Sequence, residues 1–161
     1  VPTYDLAFAR KVADVAGCVV AGGLDDVQSR RVVAYLGRLS MELALKAFLE
    51  QAGLPVENIR KHSHNLRALL AEVDHCEVEI EIVPGVRRWV RGSRLRALEV
   101  TFLSYATTAG TLLEAEDYGA SQYPNEIRYG DVPKDFPPEA IAMGASRIAD
   151  WVQSHWGAAR R

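Results

Sequence analysis

Residues 26–55 read DVQSRRVVAYLGRLSMELALKAFLEQAGLP, and the period within this stretch decides the fold. Val32, Leu36, Leu39, Leu43 and Ala47 recur at steps of three and four, with Val33, Ser40, Ala44 and Phe48 widening the stripe. That spacing is helical, and a stripe so broad suits a helix held between neighbours. Asp25, with Gln28 three residues on, supplies a capping box at its start. Gly53 fits the left-handed position past the last turn, and Pro55 forbids continuation. A helix over 26–52 is predicted, about 40 Å long at roughly 1.5 Å per residue.

Working outward, Leu6, Ala9, Ala13, Ala16 and Val20 place a first helix at about 3–20, broken by Gly22-Gly23. Beyond Pro55, Ser63 is the expected cap of a short helix carrying Leu66, Leu69 and Leu70. Residues 76–100 are ambiguous. From Cys76 to Val83, Glu77, Glu79 and Glu81 alternate with Val78, Ile80 and Ile82, which is strand periodicity, and Pro84-Gly85 signals a turn. Val86–Val90 can return as a second strand, with Trp89 opposite Ile80 and Glu81 facing Arg88. Helical spacing resumes over 95–116 through Phe102, Tyr105, Ala109 and Leu112. Pro137-Pro138 then open a last helix with Ile141, Ala145, Ile148 and Val152 inside. The expected architecture is all-α: one domain over 1–161, an antiparallel bundle of about five helices, with room for one short β-hairpin near 77–91.

Composition agrees with a globular chain. Of 161 residues, 48% are apolar and 25% charged, which excludes a disordered segment and a disulfide scaffold. No uncharged apolar run reaches the roughly 18 residues of a membrane span, so no membrane association is expected. A net charge of −2 gives no overall affinity for nucleic acid, so any basic surface must be local. Cys18 and Cys76 lie far apart and read as free thiols of a cytoplasmic protein. Val15-Ala16-Gly17-Cys18 spells a lipoprotein-type cleavage box, yet only Val12 and Ala13 stand between Lys11 and Asp14, so no apolar signal region precedes it. The first residue is Val1, which leaves room for a segment upstream.

Phosphate loops, nucleophile elbows and zinc signatures are absent. His62 and His64, two apart in a loop without a cysteine or carboxylate beside them, make a poor metal pair. No metal and no cofactor are expected. The densest charge lies at Arg87, Arg88, Arg91, Arg94 and Arg96, five arginines in ten residues around Trp89. Arginine forks bind phosphate and a tryptophan stacks a base. Equally, Glu77, Glu79 and Glu81 can neutralise the run across a hairpin or a subunit contact. A two-residue turn leaves Arg91, Arg94 and Arg96 unpaired, a surplus that favours an anionic partner or a second subunit.

Met41-Glu42-Leu43-Ala44-Leu45-Lys46-Ala47, then Gly53-Leu54-Pro55, then His64-Asn65-Leu66 with Leu69-Leu70, resembles the HEPN (higher eukaryotes and prokaryotes nucleotide-binding) domain pattern. Ile127-Arg128-Tyr129-Gly130 is similar to the Arg-Tyr-Pro found later in that family, and the last helix also fits; the resemblance covers most of 26–157. It implies a helical bundle that forms homodimers. Family members act beside small nucleotidyltransferases, often in toxin–antitoxin pairs, or as metal-independent endoribonucleases. The ribonuclease members carry Arg and His separated by four to six residues. Here Arg60 and His64 have three between them, and Arg67–His75 and Arg147–His155 have seven. A composite site across a dimer can still unite Arg60 and His64 with their symmetry mates.

Three functions follow: a nucleotide- or RNA-binding regulatory module using Glu42, Lys46, Arg128, Tyr129 and the arginine cluster; a ribonuclease with His64 and Arg60 or Arg128; and a dimerisation scaffold. Each residue also has a structural reading. Glu42 and Lys46 at i and i+4 make a surface helix pair, His64 a helix-start residue, and Arg128 with Tyr129 a pin for the long loop.

Overall fold

A computed structural model describes residues 1–130 and 136–161 and is mostly helical, with two small antiparallel sheets. The decisive stretch forms α2, Val27–Gln51. Asp26, not Asp25, caps it: its carboxylate accepts from Ser29 N–H at 2.8 Å. Gly53 ends it as expected, with φ 93°, while Leu54 N–H returns to the Leu49 carbonyl at 2.9 Å.

Helix α1, Leu6–Ala21, and helix α7, Pro138–Ser154, both lie against α2. Asp5 starts α1 by accepting from the Ala7 and Phe8 amides. α1 is antiparallel to α2, since Ser40 Oγ donates to the Ala9 carbonyl at 2.8 Å while Ala16 packs with Val33. α7 departs from the antiparallel bundle expected. Ile141 meets Gly37, Gly144 meets Met41, and Trp151 stands 5.4 Å from Phe48, so α7 runs in the direction of α2. The segment joining them is long enough to travel back along the molecule before α7 begins. Gly37 sets their separation: a Cβ there would lie 2.7 Å from Ile141 Cγ2 and 3.2 Å from the Ile141 carbonyl oxygen.

Burial along α2 also differs from expectation. Val32 is 46% exposed and Leu36, Leu39 and Leu43 are only half-buried, whereas Val33, Ser40, Ala44 and Phe48 are fully buried. The apolar stripe therefore lies one position round the helix from where its leucines suggest. With α1 and α7 both packed on it, α2 buries small residues where the backbones approach.

Helices α3, Val56–Lys61, and α4, Leu66–Asp74, follow. Asn65, not Ser63, caps α4, with Oδ1 accepting from Ala68 N–H at 2.9 Å. Ser63 instead takes a left-handed φ of 49°. The hairpin near 77–91 forms as strands β1, Glu77–Val83, and β2, Val86–Arg91; β5, Ala159–Arg160, pairs with the other edge of β1. Val78, Ile80, Val90 and Ala159 pack toward the core. An irregularity between Glu81 and Val83 shifts the register by one residue, so Glu79 faces Trp89, Ile80 faces Arg88 and Glu81 faces Arg87. The bulged residue, Ile82, is what an unbroken two-residue turn leaves out.

No single helix spans 95–116. A 3-10 turn over Gly92–Ala97 leads into β3, Glu99–Phe102, and β4, Tyr105–Thr108, then α5, Ala109–Leu113, and a second 3-10 turn over Ala115–Tyr118. β-branched Val100, Thr101, Thr107 and Thr108 win locally over the helical spacing of Phe102, Tyr105, Ala109 and Leu112. Helix α6, Asn125–Tyr129, precedes α7. Asp131, read with Arg128–Gly130 as a turn, lies outside the described residues. Among the described residues no helix is long and apolar enough to cross a membrane.

Candidate functional site

Positions three or four apart share one face of a helix, and one face of α2 carries Arg31, Tyr35, Arg38, Glu42, Lys46 and Glu50. The ends of this polar line hold other segments in place. Glu50 accepts from the Thr3 and Tyr4 amides, each at 2.8 Å. Arg31 donates to the Ile127 and Arg128 carbonyls, each at 2.9 Å. In between, Arg38, Glu42 and Lys46 are only 2%, 3% and 7% exposed. The surface ion-pair reading of Glu42 and Lys46 is thereby corrected.

Glu42 is the centre. One carboxylate oxygen, Oε1, accepts from Lys46 Nζ at 2.7 Å. The other, Oε2, lies 3.0 Å from His64 Nδ1 and accepts from the Tyr123 hydroxyl at 2.9 Å. Lys46 Nζ is also 5.6 Å from the centre of the Tyr4 ring. Buried carboxylates need such partners, because desolvation of an unpaired charge costs several kcal/mol, order of magnitude. Burial first, then the charge of Glu42, pushes the Tyr123 hydroxyl well above the ordinary tyrosine range, so it stays protonated and keeps donating.

The chain delivers His64 by a local device. Left-handed Ser63 turns the loop after α3, and Asn65 immediately starts α4, so the imidazole between them points back at α2. A carboxylate only accepts, so Nδ1 carries the hydrogen and Nε2 is left as an acceptor. His64 is half-exposed in a cleft of about 360 Å³ that Tyr123, Glu116, Gln122 and Asn125 also line. Its ring meets Tyr123 edge-on at 6.1 Å.

Other expected site residues lie elsewhere. Arg60 is exposed on α3 and does not line the cleft. Arg128 donates to the Tyr35 hydroxyl at 2.9 Å and covers that ring at 5.7 Å, which fits the pinning role, while Tyr129 is 79% exposed. Arg128 belongs to a neighbouring groove of about 480 Å³ with Arg31, Val32 and Tyr35, which Tyr129 does not line; Tyr35 connects to the cleft through Tyr123, ring to ring at 5.8 Å. His62 also lines the cleft but lies 3.3 Å from Glu72, so the two loop histidines meet different carboxylates. Among the described residues no group of three His, Cys, Asp or Glu side chains is placed to hold a metal ion.

The arginine cluster does not line the cleft. Arg87 pairs with Glu79 at 3.4 Å, and Arg91 sits opposite Glu77. Arg160, which the sequence reading overlooked, lies 3.9 Å above the Trp89 ring and 2.7 Å from Glu77. Arg96, expected to be unpaired, is held by Asp74 at 2.7 Å and by Glu114. Arg88, Arg91 and Arg94 form no ion pair among the described residues, as expected for Arg91 and Arg94. Cys76 is buried, which pushes its thiol up to about 11 and removes it as a nucleophile.

Arg38, Tyr123 and Glu116 were missed in the sequence. Arg38 carried a signal: it stands four residues before Glu42, as Lys46 stands four after. Tyr123 and Glu116 come from a segment with no periodic signature. No family model matches the chain, and neither a curated protein nor a solved structure is significantly similar to it.

Proposed function

We propose that the protein is a HEPN-like helical module of the cytoplasm that binds a nucleotide or RNA through the His64 cleft. In this reading it is a homodimer and the partner of a small nucleotidyltransferase, as in toxin–antitoxin pairs. One observation carries it: the Glu42–Lys46 segment and the His64–Asn65–Leu66 segment meet at the foot of one polar cleft, through the 3.0 Å contact of Glu42 with His64. A cleft of about 360 Å³ lies within the range of small-ligand sites. The homodimer is supported by the seam of Val32, Leu36, Leu39 and Leu43, which α2 leaves partly uncovered.

The test is fluorescence anisotropy with labelled single-stranded RNA and with a labelled mononucleotide, in EDTA, at two salt concentrations. Binding is expected to weaken as salt rises, because phosphate contacts release counterions. His64→Ala is expected to weaken it further; it also removes one partner of buried Glu42, so Tm is followed in parallel and a modest loss is expected, with the protein still folded at the binding temperature. No binding of either probe overturns the reading.

The Glu42–His64 contact also favours a second reading, a metal-independent ribonuclease. A carboxylate that fixes the Nδ1–H tautomer leaves Nε2 facing the cleft as a base. RNA cleavage in EDTA that disappears in His64→Ala supports it; intact RNA after long incubation excludes it.

A further inference from the structure

We propose that Arg38 anchors a phosphate subsite, which Glu116 closes in the free protein. The proposal deepens the reading of the His64 cleft as the functional site and names the ligand group that the cleft is built to hold.

Arg38 is the anomaly of the interior. It is 2% exposed, yet neither Nε nor Nη2 has a hydrogen-bond partner. A buried charged donor left unsatisfied is among the costliest features a core can carry, and replacing it with an apolar group of similar shape is often stabilising. Its nearest carboxylate among the described residues, Glu116 Oε1, stands 3.6 Å from Nη2, too far for a hydrogen bond. That same oxygen accepts from Tyr123 N–H at 2.9 Å, which holds it where it stands. Among the described residues, Arg38 Nε and Nη2 are therefore partnered by charge but not by hydrogen bonds. Burial accordingly pushes its pKa down, only partly offset by Glu116.

The surroundings say what would complete it. Glu116 is partly exposed and lines the cleft, and the Tyr123 ring, 6.0 Å from the guanidinium, lines it too. Rotation of Glu116 toward solvent opens the Arg38 fork to the cleft. The donors then available are the fork itself and the carboxamides of Gln122 and Asn125, while His64 Nε2 can accept from the hydroxyl of a monoprotonated phosphate. A carboxylate would occupy the fork alone. A tetrahedral phosphate has an oxygen for the fork and others for the remaining donors. Lys46 and Arg38 are balanced by Glu42 and Glu116 within the site, so an arriving anion must displace Glu116 as it binds. The phosphate can be free or part of a nucleotide.

The experiment is a titration of inorganic phosphate, and separately of adenosine monophosphate, into the full chain and two variants. Calorimetry supplies the affinity, and the arginine side-chain Nε–H signals in a nitrogen-15 spectrum report the site. In the unaltered protein, phosphate is expected to shift one slowly exchanging arginine Nε–H signal, absent in Arg38→Met. Arg38→Met should bind phosphate at least about tenfold more weakly, the loss of a charge-assisted fork, while melting at or above the unaltered protein. Glu116→Gln, which removes the competing charge, should bind phosphate more tightly. Tighter binding of adenosine monophosphate than of phosphate assigns the group to a nucleotide; equal binding assigns free phosphate.

Unchanged phosphate affinity in Arg38→Met overturns the proposal. So does a Glu116→Gln protein that binds no more tightly, and this variant remains informative should Arg38→Met fail to fold. RNA binding that survives Arg38→Met removes the phosphate subsite and leaves the RNA reading standing. Phosphate binding that depends on Arg38, in a protein that ignores RNA, does the reverse.

Discussion

Two regions of this molecule are dense in charge, and they solve the problem in opposite ways. On the outer face of the β1–β2 hairpin, Glu77, Glu79 and Glu81 face Arg91, Trp89 and Arg87 across the strands, with Arg160 over Trp89. Glu79 pairs there with Arg87 and Glu77 with Arg160, and the arginines stand in water. On α2, Arg38, Glu42 and Lys46 are buried, and the guanidinium lacks hydrogen-bond partners at two nitrogens. The hairpin has more arginines in the sequence, but the α2 stripe holds the stronger constraint. Density of charge along a chain is a weak guide to a site. Charge taken out of water with its pairing incomplete is a better one, because the fold bears a cost there that packing does not demand.

The largest effect is expected at the centre of the buried network. Glu42→Ala strips Lys46, His64 and Tyr123 of their common acceptor and leaves an ammonium buried, so urea denaturation should show a loss of about 3–5 kcal/mol. A loss under about 1 kcal/mol would place this pair with the exposed ones and erase the contrast.

Tyr123→Phe comes next. It removes one donor to a charged acceptor, and a destabilisation of about 1.5–3 kcal/mol is expected. The pH dependence has a definite sign. The hydroxyl holds its proton more tightly in the folded chain than in the unfolded one, so its stabilisation is complete below the ordinary tyrosine pKa of about 10 and is lost as pH rises beyond it. Unfolding followed from pH 8 upward should show a steeper alkaline loss in the unaltered protein than in Tyr123→Phe. Of the six tyrosines, one should titrate last in ultraviolet absorbance, and that late step should vanish in the variant.

The smallest effect belongs to the hairpin. Glu79→Gln breaks the ion pair with Arg87, which is 3.4 Å long and has an exposed arginine, and should change stability by no more than about 0.5 kcal/mol. A change of several kcal/mol would show that the outer face carries more than solvated pairs.

Legibility in the sequence follows the same divide. α2, its stop at Gly53 and the existence of the hairpin were readable, because each rests on local chemistry: period, a left-handed glycine, alternation. Glu42, Lys46 and His64 were singled out by the family resemblance, while helical spacing alone offered Glu42 and Lys46 as a surface pair. Arg38 was hidden because a polar residue in mid-helix is read as solvent-facing, and only the folding of the 115–123 segment over it makes it interior. The helix expected over 95–116 failed because β3 and β4 have four residues each, too few to show alternation, and their turn uses Leu103 at φ 51° instead of glycine. The one-residue register shift in the hairpin comes from a bulge that no residue type announces. The direction of α7 depended on the path of the intervening chain, which local patterns do not encode.

The His64 ring offers the most direct measurement of the central contact. Long-range proton–nitrogen correlation spectra distinguish which ring nitrogen carries the hydrogen in the neutral imidazole. With Nδ1 donating to Glu42 at 3.0 Å, the Nδ1–H tautomer should dominate in the unaltered protein and lose that dominance in Glu42→Ala. A His64 that sits in the Nε2–H tautomer of a free histidine, indifferent to residue 42, would mean that the two segments do not form one site.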